Sequence, residues 1–213
     1  MNILSESIFF PLQNKNLKMF FCLVGLFILQ HFINYAPIIS LASYALIGYI
    51  YATHLKIIFT TGNGYKDAPD FPDFGDIFDN IAIPLLKVAG VWIAGMLPAI
   101  LIIWQTDVSE TAAISLMLTA FLYIPLGLMI AAMDDYSKAF NPVVLIQAIR
   151  SAGSSYVIMI VAFMAFSLLS FFLDGAFPAS WILEGLIGAY GILFTGRLIG
   201  FVFRERISGH DEG

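Results

Sequence analysis

Four side chains that can carry charge or move a proton lie inside long apolar runs of this sequence: His54, Lys87, Glu184 and Arg197. An ionisable group at membrane depth is costly and marks a functional candidate. Glu184 lies near the start of the final run and Arg197 about two turns inside its other end; roughly 20 Å of helix separates them, so they do not pair with each other. Lys87 and His54 lie about two turns inside the ends of their own runs. Two roles fit these residues. One is interfacial anchoring or a satisfied contact between helices. The other is a polar path, in which Glu184 and Arg197 line a route or hold a partner's membrane helix. Arg197 is the stronger of that pair, because an unpaired guanidinium at that depth is expensive.

A second set invites metal chemistry. Asp67, Asp70, Asp73, Asp76 and Asp79 recur at every third residue, but the spacing misses the calcium ligand loop. Pro69 and Pro72 also break any regular helix there. These residues read as solvated loop acids and helix caps, with Phe71, Phe74 and Phe78 dipping into the membrane interface. No G-x-S-x-G, H-E-x-x-H, Walker A or dinucleotide glycine pattern is present. His31 and His210 join no ligand cluster, and the single cysteine, Cys22, cannot form an intramolecular disulfide. No catalytic residue, metal site or cofactor is expected.

The elements that must position these groups follow from composition. Of 213 residues, 60% are hydrophobic and 12% charged, and mean hydropathy is +0.88; a soluble domain carries about twice that share of charge. Lipid is therefore the expected solvent. The net charge is -5 with scattered basic residues, which leaves no stripe for a nucleic-acid backbone.

About six apolar runs span 17–35, 37–59, 81–104, 112–133, 155–173 and 181–203, each near the length needed to cross a bilayer as a helix. Lys15 and Lys18 precede an apolar stretch from Met19 to about Ile33, which is at or beyond the limit of a signal sequence and is read as a retained first span. Strand-like alternation is absent. The expected fold is an all-α membrane protein, a single transmembrane domain over 1–213. Its short connections are Asn34 to Pro37, Gln105 to Thr111 and Asp174 to Ser180; longer ones run from Thr60 to Asn80 and Asp134 to Ser154. Three helical hairpins repeat at a spacing of roughly seventy residues.

A short segment containing phenylalanine and proline precedes each odd-numbered span: Ser5 to Gln13, Asp73 to Pro84, and Lys138 to Arg150. In the third, Asn141 and Pro142 suit the N-cap and first-turn positions, and Phe140, Val143, Val144 and Ile146 oppose Gln147 and Arg150. It reads as an interfacial helix or as a cytoplasmic extension of the next span. Pro84, Pro98 and Pro125 begin or kink their helices. Gly185, Gly188, Gly191, Gly196 and Gly200 give the last span small-residue faces for close helix packing, within the chain or between subunits.

All ten Lys and Arg residues fall in the N-terminal segment, the two long connections, the C-terminal tail, or adjoining span ends. By the positive-inside rule both termini are expected in the cytoplasm.

The segment Asp70-Phe71-Pro72-Asp73-Phe74-Gly75-Asp76-Ile77-Phe78 follows a run that ends in a polar, Gly-rich turn. Ala139-Phe140-Asn141-Pro142 and Ser155-Tyr156 come later in order. On these residues the chain resembles the prokaryotic polytopic membrane family known as domain of unknown function four thousand and thirteen. The resemblance implies a helical membrane fold with repeated hairpins, in a prokaryotic cytoplasmic (inner) membrane. It implies no reaction, substrate or catalytic residue.

The expected role is a non-enzymatic subunit or scaffold of a membrane assembly. It would work with other membrane or cytoplasmic subunits, or as a homo-oligomer, through its glycine-rich final span. The alternative is a small transporter or channel for a lipid or other small solute, with Glu184, Arg197 and His54 along the path. A membrane-embedded enzyme ranks third, for want of a convergent polar cluster.

Overall fold

The computed structural model describes residues 3–34, 40–73, 75–106, 109, 111–112, 118–133, 136–173 and 179–207. Among these there is no strand. Helix α1 (Ile3–Phe9) passes through a 3-10 turn (Phe10–Leu12) to α2 (Leu17–Asn34), and α3 (Ser40–Gly62) follows. A π-helical turn (Phe78–Ala82) leads into α4 (Ile83–Gln105), and α5 is Ala120–Met133. A 3-10 turn (Tyr136–Phe140) precedes α6 (Pro142–Ala152), α7 (Ser154–Leu173) and α8 (Ser180–Val202), which ends in a second π-helical turn (Phe203–Ile207).

Each apolar run therefore carries a helix, but span character is uneven. Phe78–Gln105 and Ser180–Glu205 are long and apolar enough to cross a membrane alone. Ile3–Leu12 with Leu17–Ile33, and Pro142–Ala152 with Ser154–Ser170, reach that standard only as pairs, bent by 72° and 103°. The described helices thus give two membrane-length spans, or up to four if each bent pair counts as one, where six are expected. Two causes account for the difference. Thr53, His54, Lys56, Thr60 and Thr61 dilute the apolar character of α3, and α5 is described over 14 residues because 113–117 lie outside the described set. The expected turning points at 35–39 and 174–178, the C-terminal residues from 208, and Phe74 lie outside it too.

Of the three segments expected at the interface, two form separate short helices, α1 and α6. Asn141 caps α6, its side chain accepting from Val143 N at 3.0 Å, with Pro142 in the first turn. Gly153, at φ 55, ends the helix and allows the sharp turn into α7. The third segment differs, because Phe78–Ala82 continues without a break into α4. A proline ring collides with the carbonyl four residues earlier in a regular helix; the wider π turn ahead of Pro84 relieves that collision, so the chain runs on.

Helix α8 is the axis of the bundle. It packs on α1, α2, α3 and α7, and every residue from Leu193 to Val202 is buried. Glycine makes this crowding achievable: Gly185 and Gly188 meet Val24, Phe27 and Ile28 of α2, Gly191 meets Phe166 of α7, and Gly196 and Gly200 meet α3. Helix α5 is likewise enclosed from Ile124 to Ala131, between α3, α4 and α7. By contrast α4 turns Leu86, Ile93, Leu97 and Ile100 outward, and α7 exposes Val157, Val161, Leu169 and Phe172. Apolar faces of this extent are out of place in water and suit a lipid surround.

Candidate functional site

The seam between α3 and α8 carries His54, Thr61, Thr195 and Arg197, all buried. A Cβ built on Gly196 would stand 3.0 Å from both His54 and Ile57, so the backbones lie close. That proximity brings His54 Nε2 to 3.2 Å from Thr195 Oγ1. Thr195 donates its own hydroxyl proton to Gly191 O at 2.6 Å, as threonines in helices commonly do. The hydroxyl has only one proton, so its contact with the imidazole must be accepted: Nε2 carries a hydrogen and points it at Thr195. In the neutral ring Nδ1 is then a bare acceptor, and it is buried without a partner.

His54 and Thr195 also line a cavity of about 280 Å³ walled by α2, α3, α4, α5, α7 and α8. Phe27, Leu128, Phe163 and Ile192 make its surface largely apolar. Tyr51, Trp92, Ser167 and Ser170 add polar points. Trp92 Nε1 is a second buried group without a partner, a donor where His54 Nδ1 is an acceptor. A buried polar atom left unmatched costs about 1–3 kcal/mol, so two of them on the walls of one cavity call for an explanation.

About half a turn beyond Thr195, Arg197 is only 5% exposed. Its guanidinium lies over the rings of Phe10 and Phe201, 4.7 and 4.4 Å from their centroids. Nη1 donates to Tyr65 O at 2.6 Å and to Thr61 Oγ1 at 3.3 Å. The Tyr65 carbonyl is held in place by the way its loop is tied down. Asn16, itself buried, donates from Nδ2 to Phe10 O at 2.7 Å and accepts Ala68 N at 3.0 Å. Lys15 pairs with Asp67, and Lys56 Nζ reaches Phe71 O at 3.4 Å. Tyr190 of α8 donates to Ile8 O at 2.7 Å, fastening α1 over the same end.

The structure thus brings His54 and Arg197 onto one seam and leaves the other two candidates elsewhere. Glu184 accepts from Ser180 Oγ at 2.9 Å within the first turns of α8. Lys87, on α4, is half-buried and lines neither this cavity nor the one at the Arg197 end. Phe71 is partly buried and stacks on Tyr49 at 5.9 Å, whereas Phe78 is exposed. Phe140 is exposed with its edge to Tyr136. Two of the aspartates act as turn and cap groups: Asp73 accepts Gly75 N at 2.9 Å and Asp76 accepts Asp79 N at 3.1 Å. Among the described residues no three His, Cys, Asp or Glu side chains converge on a metal position.

Sequence reasoning passed over Thr195, Trp92, Ser167, Ser170 and Asn16. Ser167 and Ser170, spaced by three residues in an otherwise apolar run, were the available signal for one polar helix face. Comparison of the chain with protein-family models, with curated proteins and with solved structures finds no match in any of the three.

Proposed function

We propose that this chain is a membrane protein that binds a small uncharged amphiphile in the cavity beside His54 and carries it between environments. In this reading the chain crosses a prokaryotic inner membrane about six times with both termini cytoplasmic, as its basic residues favour. The observation that supports it is the pairing of an unmatched acceptor, His54 Nδ1, with an unmatched donor, Trp92 Nε1, on the walls of one apolar cavity. A hydroxyl or amide group satisfies both kinds of atom at once, while an alkyl portion suits Phe27, Leu128 and Phe163. The cavity is bounded by Ile187 to Thr195 of α8, near the middle of that helix, the depth at which transport sites usually lie.

The assembly reading loses its strongest support, since Gly185, Gly188, Gly191, Gly196 and Gly200 all face helices of the same chain. The test is native mass spectrometry of protein released from mild detergent, with binding of a fluorescent long-chain alcohol as a second readout. Retained amphiphile and saturable probe binding are expected. Replacing Ser167 and Ser170 together by leucine should abolish both without unfolding the chain. Protein that emerges bare and binds probe equally well in parent and filled variant refutes the proposal; a constant companion protein instead returns the scaffold reading.

A further inference from the structure

A second cavity of about 350 Å³ opens where α1, the loop after α3 and the end of α8 meet. It is lined by Lys15, Lys66, Arg197 and Arg204, with Glu6 as the lone carboxylate, so its walls carry a formal surplus of positive charge. We infer that this cavity is a binding site for a phosphate group. The loop and helix contacts described above use only Nη1 of Arg197. Nε is buried without a partner, and the Nε–Nη2 edge has no acceptor among the described residues. That edge is the fork that grips a phosphate through two parallel charge-assisted bonds. The rings of Phe10 and Phe201 both lie within 5 Å of the guanidinium carbon, and Nη1 is held by two acceptors, so the group is already positioned before an anion arrives. Lys66 is exposed and suited to closing on a doubly charged ligand, while Arg204 lies over Phe201 at 4.8 Å and pairs with Glu205 at 3.8 Å, so it adds charge to the rim from a fixed place.

Glu6 sets the selectivity. A carboxylate on the wall of a basic cavity competes for the same cations, so a weak monovalent anion gains little by displacing it, whereas a phosphate with more charge and more acceptors does. The site lies on the stretch of α8 following the apolar cavity, and its assignment stands independently of any ligand there.

The phosphate can belong to a soluble molecule or to a lipid headgroup, and the experiment separates the two. The full chain is placed in phosphatidylcholine nanodiscs and titrated calorimetrically with inorganic phosphate at constant ionic strength. In parallel, nanodiscs containing some phosphatidic acid are assayed for its enrichment around the protein. Saturable phosphate binding identifies a soluble source, and enrichment of phosphatidic acid alone identifies a headgroup. In either arm the double variant Lys66→Gln with Arg204→Gln, both outside the packed core, should bind roughly tenfold more weakly, and Glu6→Gln should bind more tightly. Arg197→Lys keeps the charge but loses the fork, and should weaken binding as well. Absence of binding in both arms by the folded parent, or binding indifferent to all of these changes, overturns the inference.

Discussion

Replacing Gly200 by alanine tests the α3–α8 seam at its tightest point. The added Cβ would stand 2.5 Å from Thr61 Cβ and 2.7 Å from the backbone oxygen of Ile58, where ordinary contact begins at 3.4 Å. Neither a backbone oxygen nor a Cβ can rotate away as a side-chain tip can, so the helices must part by about 0.9 Å, the shortfall at Thr61 Cβ. Overpacking of this kind costs about 1–3 kcal/mol. The same displacement stretches the 3.3 Å bond from Arg197 to Thr61 and the 3.2 Å contact between His54 and Thr195, adding about 1 kcal/mol. Alanine returns about 0.5–1 kcal/mol of helix propensity, leaving a net loss of about 1–3.5 kcal/mol. Gly25 supplies the control, since a Cβ there meets nothing within 4 Å; Gly25→Ala should stabilise by about 0.5–1 kcal/mol. Unfolding in mixed micelles, followed by tryptophan fluorescence, measures both. If Gly200→Ala is as stable as the parent, or the two substitutions shift stability in the same direction, the close crossing of α3 and α8 is refuted.

Asn16→Ala removes the bonds to Phe10 O and from Ala68 N; it should cost about 2–3 kcal/mol and speed hydrogen exchange at Ala68 first, whereas unchanged exchange there would remove the clamp. Tyr190→Phe deletes the bond to Ile8 O and should loosen α1 by about 1 kcal/mol, read as faster exchange in α1 with α8 unaltered. Cys22, the free thiol on the exposed side of α2, should react with an apolar maleimide and resist a charged one in intact membranes; equal labelling by both would put that face of α2 in water.

The sequence made the helices legible because each apolar run is bounded by residues that end helices. Asn141 and Pro142 announced the start of α6 and occupy the positions expected of them. The glycines of α8 announced close packing, but small size says nothing about which neighbour arrives: two face α2, one faces α7 and two face α3. The site was harder to read. His54 and Thr195 are 141 residues apart, and no local pattern encodes that pairing. Arg197 finds a backbone carbonyl at Tyr65, an acceptor that every residue possesses and none advertises. The partner of Glu184 was within reach of spacing alone, since Ser180 precedes it by one helical turn. The segment Asp73 to Pro84 misled because proline so often ends a helix, and a wide turn that lets one continue leaves no mark in residue type.

Arg197 shows why a charge can stay inside this bundle with Glu6 across a shared cavity rather than in a salt bridge. Taking a guanidinium out of water costs several kcal/mol even after relaxation. Against that stand two ring faces, each contributing about 1–2 kcal/mol when desolvated, and two hydrogen bonds to the charged group at about 1.5–3 kcal/mol each. These terms roughly offset the cost, so the residue is tolerated without an ion pair. They do so through ring contacts and Nη1 alone, and the Nε edge that remains borders a cavity whose other cations would repel any further positive charge. An anion entering there meets an arginine whose burial has already been compensated by other groups. Most of what it gains from that edge is then available as affinity.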